Sequence, residues 1–142
     1  MTLRRLGRFA LAAFFMTAGI AHFAASDFFV AIMPPYLPLH LELVYLSGVC
    51  EVCGAAGILW TRTRKAAGVG LITLTVAVFP ANLHMALHPD QFSAFPIWAL
   101  YARLPLQAVV LVWIWWTTWP AEDHQIVLPK SERSQVDLPR SE

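Results

Sequence analysis

The sequence predicts an all-α integral membrane protein, a bundle of four transmembrane helices. Three observations carry that expectation. Of 142 residues, 58% are hydrophobic and 13% charged, against roughly 25% charged in a soluble domain, so a soluble fold would lack the charge to cover its surface. The apolar residues are blocked into four runs, each close to the about 20 helical residues that cross a hydrocarbon core. Lys and Arg collect in alternate connections, the pattern of loops sorted to two sides of a bilayer. The net charge of +1 gives no basic field for nucleic acid, and two cysteines make no disulfide framework.

The first run, residues 6–26, follows "LRRLGR" and ends near "FAAS". Those flanks also fit a secretory signal peptide, but the run is long for one and His22 interrupts its end. Arg4 and Arg5 stand without the rest of a twin-arginine signal. The second run is 42–60, the third 66–88 and the fourth 97–118. Arg4, Arg5 and Arg8 precede the first span, and Arg62, Arg64 and Lys65 fill the connection between the second and third. The loops 27–41 and 89–96 have no Lys or Arg, so both termini are expected in the cytoplasm and these two loops outside. Trp60, Trp113, Trp115, Trp116 and Trp119 form the expected inner aromatic belt, and Tyr36, Trp98 and Tyr101 the outer one.

Within the first outer loop, "SDFFVAIMPPYLP", Phe28, Phe29, Ile32 and Met33 are too apolar for a solvated linker. Pro34, Pro35 and Pro38 stiffen the remainder of the loop. The segment reads as a half-inserted lid, with a plain rigid turn as the alternative. Residues 1–120 form the expected membrane domain. Residues 121–142, with Pro129 and Pro139, read as a disordered polar cytoplasmic tail.

Polar residues inside the spans narrow the site. A charge at the centre of a span costs about 2.5–3.5 kcal/mol on insertion scales, so such groups face the bundle interior and find partners. Counting about 1.5 Å of rise per residue from the outer surface, His22 and Ser47 lie about 6–7 Å deep, Asn82 and Arg103 about 9 Å, Glu51 and Gln107 about 14–15 Å. Every span thus contributes a polar side chain to the outer half. Ser47 and Glu51 share a helical face, as do Arg103 and Gln107, each pair being four residues apart. Gly48, Gly54, Ala55 and Gly57 admit a close neighbouring helix, and Pro80 predicts a kink in the third span. The expected arrangement is an ion pair between Glu51 and Arg103, supported by Gln107, Asn82, Ser47 and His22. It serves either as a structural clamp or as the wall of an outward-facing polar pocket beneath the lid.

Two further patterns carry chemistry. Cys50 and Cys53 match C-x-x-C on one helical face, the spacing of a redox pair. Mid-helix placement beside a carboxylate opposes a reactive thiolate, so small packing residues are the plainer reading. His84 and His88 at i, i+4 are half of a zinc site without the glutamate of H-E-x-x-H. A third ligand would have to come from His22, His40 or Asp90, and interfacial hydrogen bonding is the simpler use.

The succession "AGIAHF", "PPYLP", "VYLSGVCEVCGAAGIL", "AAGVGL", "VFPANLHMAL" and "RLPLQ", closing on Trp, resembles the DoxX/DoxX-like family of small four-helix membrane proteins over roughly residues 19–116. The family's S-G-x-x-E, F-P-A-N and R-x-P-L-Q patterns fall on Ser47, Gly48 and Glu51, on residues 79–82, and on Arg103 with residues 105–107. The cysteines stand outside that pattern. The resemblance implies a multi-pass protein of the bacterial inner membrane, an accessory or subunit of a membrane redox system handling quinone, thiol or sulfur species. A quinone headgroup is the ligand it suggests, and a membrane redox protein the partner, since the sequence shows no haem, flavin or iron–sulfur motif. Intrinsic enzyme activity is therefore not expected. The alternative is a non-enzymatic assembly factor or chaperone whose polar cluster is structural. Transport fits poorly, because the cytoplasmic half lacks polar lining. The bilayer is the one certain surroundings of such a chain, and an oligomer is compatible with it.

Overall fold

Each apolar run becomes a helix. The computed structural model describes residues 2–119, and the tail expected at 121–142 lies outside them. The helices are α1 (Leu3–Ala24), α2 (Ser26–Ala31), α3 (His40–Leu59), α4 (Arg64–Ala77), α5 (Phe79–Leu87) and α6 (Ile97–Thr118), with one 3-10 turn over Pro89–Phe92. Four helical stretches are long and apolar enough to cross a membrane: Leu3–Ala24, His40–Leu59, Arg64–Leu87 and Ile97–Thr118. The architecture is that of a multi-pass membrane protein. No strand occurs among the described residues.

Neighbours in the bundle run α1, α3, α4, α6 and back to α1, which leaves α3 and α6 facing each other diagonally. The core on the side of the chain's N-terminus joins Leu11, Phe15, Ala55, Ile58, Leu71 and Ile114 from all four spans. A second cluster under the loops at the other end joins Ile32, Met85, Phe92 and Leu100. Leu46, Val49, Val76, Val109 and Val112 stand exposed on the outside, as an apolar belt requires in lipid.

The closest approach is between α1 and α3. A Cβ added to Gly48 would meet the Phe23 ring at 2.8 Å and the Gly19 carbonyl at 3.0 Å, and one added to Gly19 would meet the Gly48 carbonyl at 2.9 Å. The two backbones touch because neither residue carries a side chain, as in small-residue helix packing generally. Gly54 lets α4 approach in the same way, since Leu71 lies against its α-carbon.

The third span breaks at Val78, between α4 and α5, with Pro80 in the first turn of α5. Proline lacks the N–H that would continue the ladder, and the expected kink falls at the single residue Val78, which keeps helical φ and ψ. Pro105 by contrast sits inside a continuous α6.

The segment after α1 is helical where the sequence suggested a lid. Within α2, Phe29 stacks on His22 with ring centroids 3.9 Å apart, and Phe28 reaches Phe95 at 5.6 Å. Pro34 is fully buried, and its carbonyl bonds His40 Nε2 at 3.2 Å. The chain enters α3 through Leu39 at φ 55°, a left-handed conformation uncommon for a residue with a Cβ. This end is a packed cap, not a solvated turn.

Gly48→Val should force α1 from α3 and cost about 1–3 kcal/mol, as overpacking does. Gly70→Ala, where an added Cβ meets nothing within 4 Å, should be neutral. Thermal unfolding in one detergent compares the two.

Candidate functional site

The polar side chains expected inside the spans converge. His22 on α1, Ser47 and Glu51 on α3, Asn82 on α5 and Arg103 on α6 line a cavity of about 220 Å³ beneath α2. Glu51, Asn82 and Arg103, joined by Gln107 and Thr75, line a second of about 340 Å³ deeper in the bundle. The shared walls make these two lobes of one hollow. Phe14 and Leu106 border the deeper lobe and are exposed on the outer surface, so it opens between α1 and α6 onto the apolar belt.

The expected ion pair is absent. Glu51 and Arg103 share the hollow, yet no salt bridge joins them, and the only acid–base contact among the described residues is His22 Nδ1 to Glu51 Oε2 at 3.4 Å. The reason is the helix order: α3 and α6 are diagonal, and the hollow lies between them. Glu51 faces α1, the helix α3 packs against most intimately, and so meets His22. Even that contact is incomplete. His22 Nδ1 is 2.8 Å from the Ala18 carbonyl, where an N–H belongs, and Glu51 Oε2 has no hydrogen-bond partner despite its burial. A carboxyl oxygen left thus in low dielectric is costly.

Arg103 is drawn to the other side. Its Nη1 donates to Met85 Sδ at 3.1 Å, and its guanidinium stands 5.8 Å from the Phe95 ring centroid. Thioether and aromatic face are weak acceptors. Most of the five N–H groups of Arg103 remain uncommitted, and no carboxylate neutralises it among the described residues.

The amides satisfy one another. Asn82 Nδ2 donates to Gln107 Oε1 at 3.1 Å, and Gln107 Nε2 donates to the Thr75 carbonyl. Thr75 lies in the last turn of α4, where backbone carbonyls lose their intrahelical partners. The end of α4 at Val78 leaves this carbonyl without an intrahelical partner, and Gln107 takes it. Thr75 was not foreseen from the sequence, nor was Met85. The sequence signal, Pro80, marks the Val76 carbonyl as orphaned, one residue from Thr75.

The remaining expectations divide. Cys50 and Cys53 are free thiols exposed on the outer face of α3, away from the hollow, so they are neither core-packing residues nor joined. The His84 and His88 rings lie 4.3 Å apart, tilted by 41°, and His88 Nδ1 meets the His84 carbonyl at 3.0 Å. No three His, Cys, Asp or Glu side chains gather as a metal site among the described residues.

Double-mutant cycles separate the linked from the unlinked pairs. Asn82→Ala with Gln107→Ala should show coupling of about 0.5–3 kcal/mol, as residues in one hydrogen-bond network do. Glu51→Gln with Arg103→Leu should come close to additive. Thermal stability in a single detergent reads both; strong coupling in the second cycle would restore the ion pair.

The model of a family described as a domain of unknown function, DUF8561, matches residues 11–118. That is most of the chain, which therefore belongs to this family. No curated protein and no solved structure matches.

Proposed function

We propose that this DUF8561 protein is a membrane accessory or subunit of a redox system, holding a quinone headgroup in the hollow between α1, α3, α5 and α6. The observation that carries the proposal is one cavity lined by two ionisable groups that do not pair. Glu51 Oε2 has no hydrogen-bond partner, and Arg103 has only Met85 and an aromatic face. A quinone offers what each lacks: carbonyl oxygens to accept from the guanidinium, and on reduction a hydroxyl to exchange a proton with the carboxyl. The opening between Phe14 and Leu106 suits a ligand that arrives through the bilayer with an apolar tail.

The redox assignment rests on the resemblance to the DoxX-like family, whose S-G-x-x-E and R-x-P-L-Q patterns fall on Ser47, Glu51, Arg103 and Gln107. In this reading a partner membrane protein supplies or takes the electrons. Both termini lie in the cytoplasm of a bacterial inner membrane, and the α2 cap faces outward. Arg62, Arg64 and Lys65, against loops without Lys or Arg at the α2 end, support that orientation.

A second reading is an assembly factor whose polar cluster only fixes its own fold. The Asn82–Gln107–Thr75 chain favours it, because those bonds already tie α4, α5 and α6 together without a ligand.

Protein purified with its native lipids should carry quinone detectable by mass spectrometry, and Arg103→Leu should lower its occupancy about tenfold or more, the loss of one charge-assisted hydrogen bond of about 1.5–3 kcal/mol. A stoichiometric membrane partner with no small ligand would instead establish the assembly factor.

A further inference from the structure

The end of the bundle opposite α2 holds a second site, independent of the quinone reading. Four acidic residues occur within 2–119, namely Asp27, Glu42, Glu51 and Asp90. None lies at the end where α1 begins, α3 meets α4 and α6 finishes. Six cations gather there instead: Arg4, Arg5, Arg8, Arg62, Arg64 and Lys65. Four of them, Arg8, Arg62, Arg64 and Lys65, line a cavity of about 320 Å³ with Thr61 and Thr118.

Two of the four, Arg8 and Arg64, are held in place by hydrogen bonds to backbone. Arg8 Nε donates to the Thr117 carbonyl at 3.3 Å, fastening α1 to the end of α6. Arg64 Nε donates to the Ile58 carbonyl at 3.1 Å, and its Nη2 to Thr61 Oγ1 at 3.4 Å. These bonds use the Nε of each guanidinium and one Nη2 N–H of Arg64, which leaves the other N–H groups for an anion. No salt bridge engages any of the four among the described residues. Clustering like charges this closely is unfavourable without a counter-charge.

Arg4 and Arg5 differ. Their guanidinium groups stand 6.0 Å from the Trp116 ring and 5.9 Å from the Phe9 ring, outside the cavity. The aromatic residues Trp60, Trp116 and Trp119 sit at this same end, at the level where such side chains meet lipid headgroups.

From this geometry we infer that the cavity between the ends of α1, α4 and α6 binds the phosphate of an anionic phospholipid headgroup. Three guanidinium forks and a lysine suit a phosphodiester, because planar N–H pairs match phosphate oxygens and an ammonium adds charge without demanding alignment. Basic pockets between transmembrane helices recognise anionic headgroups for this reason. The lipid's acyl chains would lie along the apolar belt directly below.

The test uses the full-length protein in detergent, titrated with phosphatidylglycerol or phosphatidylcholine and read by native mass spectrometry. Phosphatidylglycerol should be retained preferentially. The double variant Arg8→Gln/Arg64→Gln should lose affinity for it about thirtyfold, at roughly fivefold per basic residue. The variant Arg4→Gln/Arg5→Gln, which removes equal charge outside the cavity, should lose far less. Equal losses from the two variants, or equal retention of the two lipids, would overturn the inference by reducing it to a diffuse surface field.

Inorganic phosphate at millimolar concentration should fail to displace the lipid; displacement would assign the cavity to a soluble anion. Glu122→Gln/Asp123→Asn should leave lipid affinity unchanged, whereas a several-fold gain would mean that the chain's own acids occupy the cavity. If the Gln double variant does not fold, Arg62→Gln/Lys65→Gln, which breaks no backbone hydrogen bond, carries the same expectation.

Discussion

A polar atom inside a bilayer has to find its partner within the protein, because lipid offers none. That constraint orders the whole structure. It turns His22, Glu51, Thr75 and Gln107 inward while Leu46, Val76 and Val109 stay on the surface. It leads Thr75, Thr117 and Thr118 to bond carbonyls in their own helices. It also sets the terms on which the third span can break. The carbonyls released near Val78 must be met by something, and Gln107 reaches across from α6 to meet one. The break therefore belongs to the site as much as to the fold: it frees the acceptor that anchors one wall of the hollow.

The close contact of α1 with α3 has the opposite effect. Gly19 and Gly48 bring the two backbones together and carry His22 alongside Glu51. Bundles are rings of neighbours, and a helix drawn tightly to one neighbour turns its polar face away from the helix opposite. Here α3 turns to α1, and α6 with its arginine turns to α5. Space is left along the diagonal, where two ionisable groups line the same walls without neutralising each other. A cluster selected only to hold helices together would gain by closing that gap, since a buried charge without a partner is a larger penalty than a paired one. The amides do close their gap; the carboxyl and the guanidinium do not.

Much of this was legible in the sequence. The four spans, and the break at Pro80, follow from run length and from proline's missing donor, properties local to the chain. The six polar residues were also legible, because depth along a helix is a matter of counting rises. Their pairing was not. Depth places Glu51 and Arg103 in the same half of the bundle, but azimuth depends on which helices are neighbours, and that order is a property of packing. The glycines announced close approach without naming the helix that would approach. Met85 was invisible for a related reason: a thioether in an apolar run looks like packing until a guanidinium is seen beside it. For the cysteines too, helical spacing gave a shared face without saying that the face is the exposed one.

The two ends of the molecule resolve their charges differently, and the contrast bears on how each is used. At the α2 end, acids and histidines are spread over short helices and capped by packed aromatics, so the hollow beneath is shielded from water yet open to the apolar belt through Phe14 and Leu106. At the other end the cations are crowded, tied to backbone carbonyls and open outward. Arg8 joins two helices at this end. It sits a turn before Leu11 in the core and fastens α1 to the end of α6, the same two helices that flank the opening of the hollow.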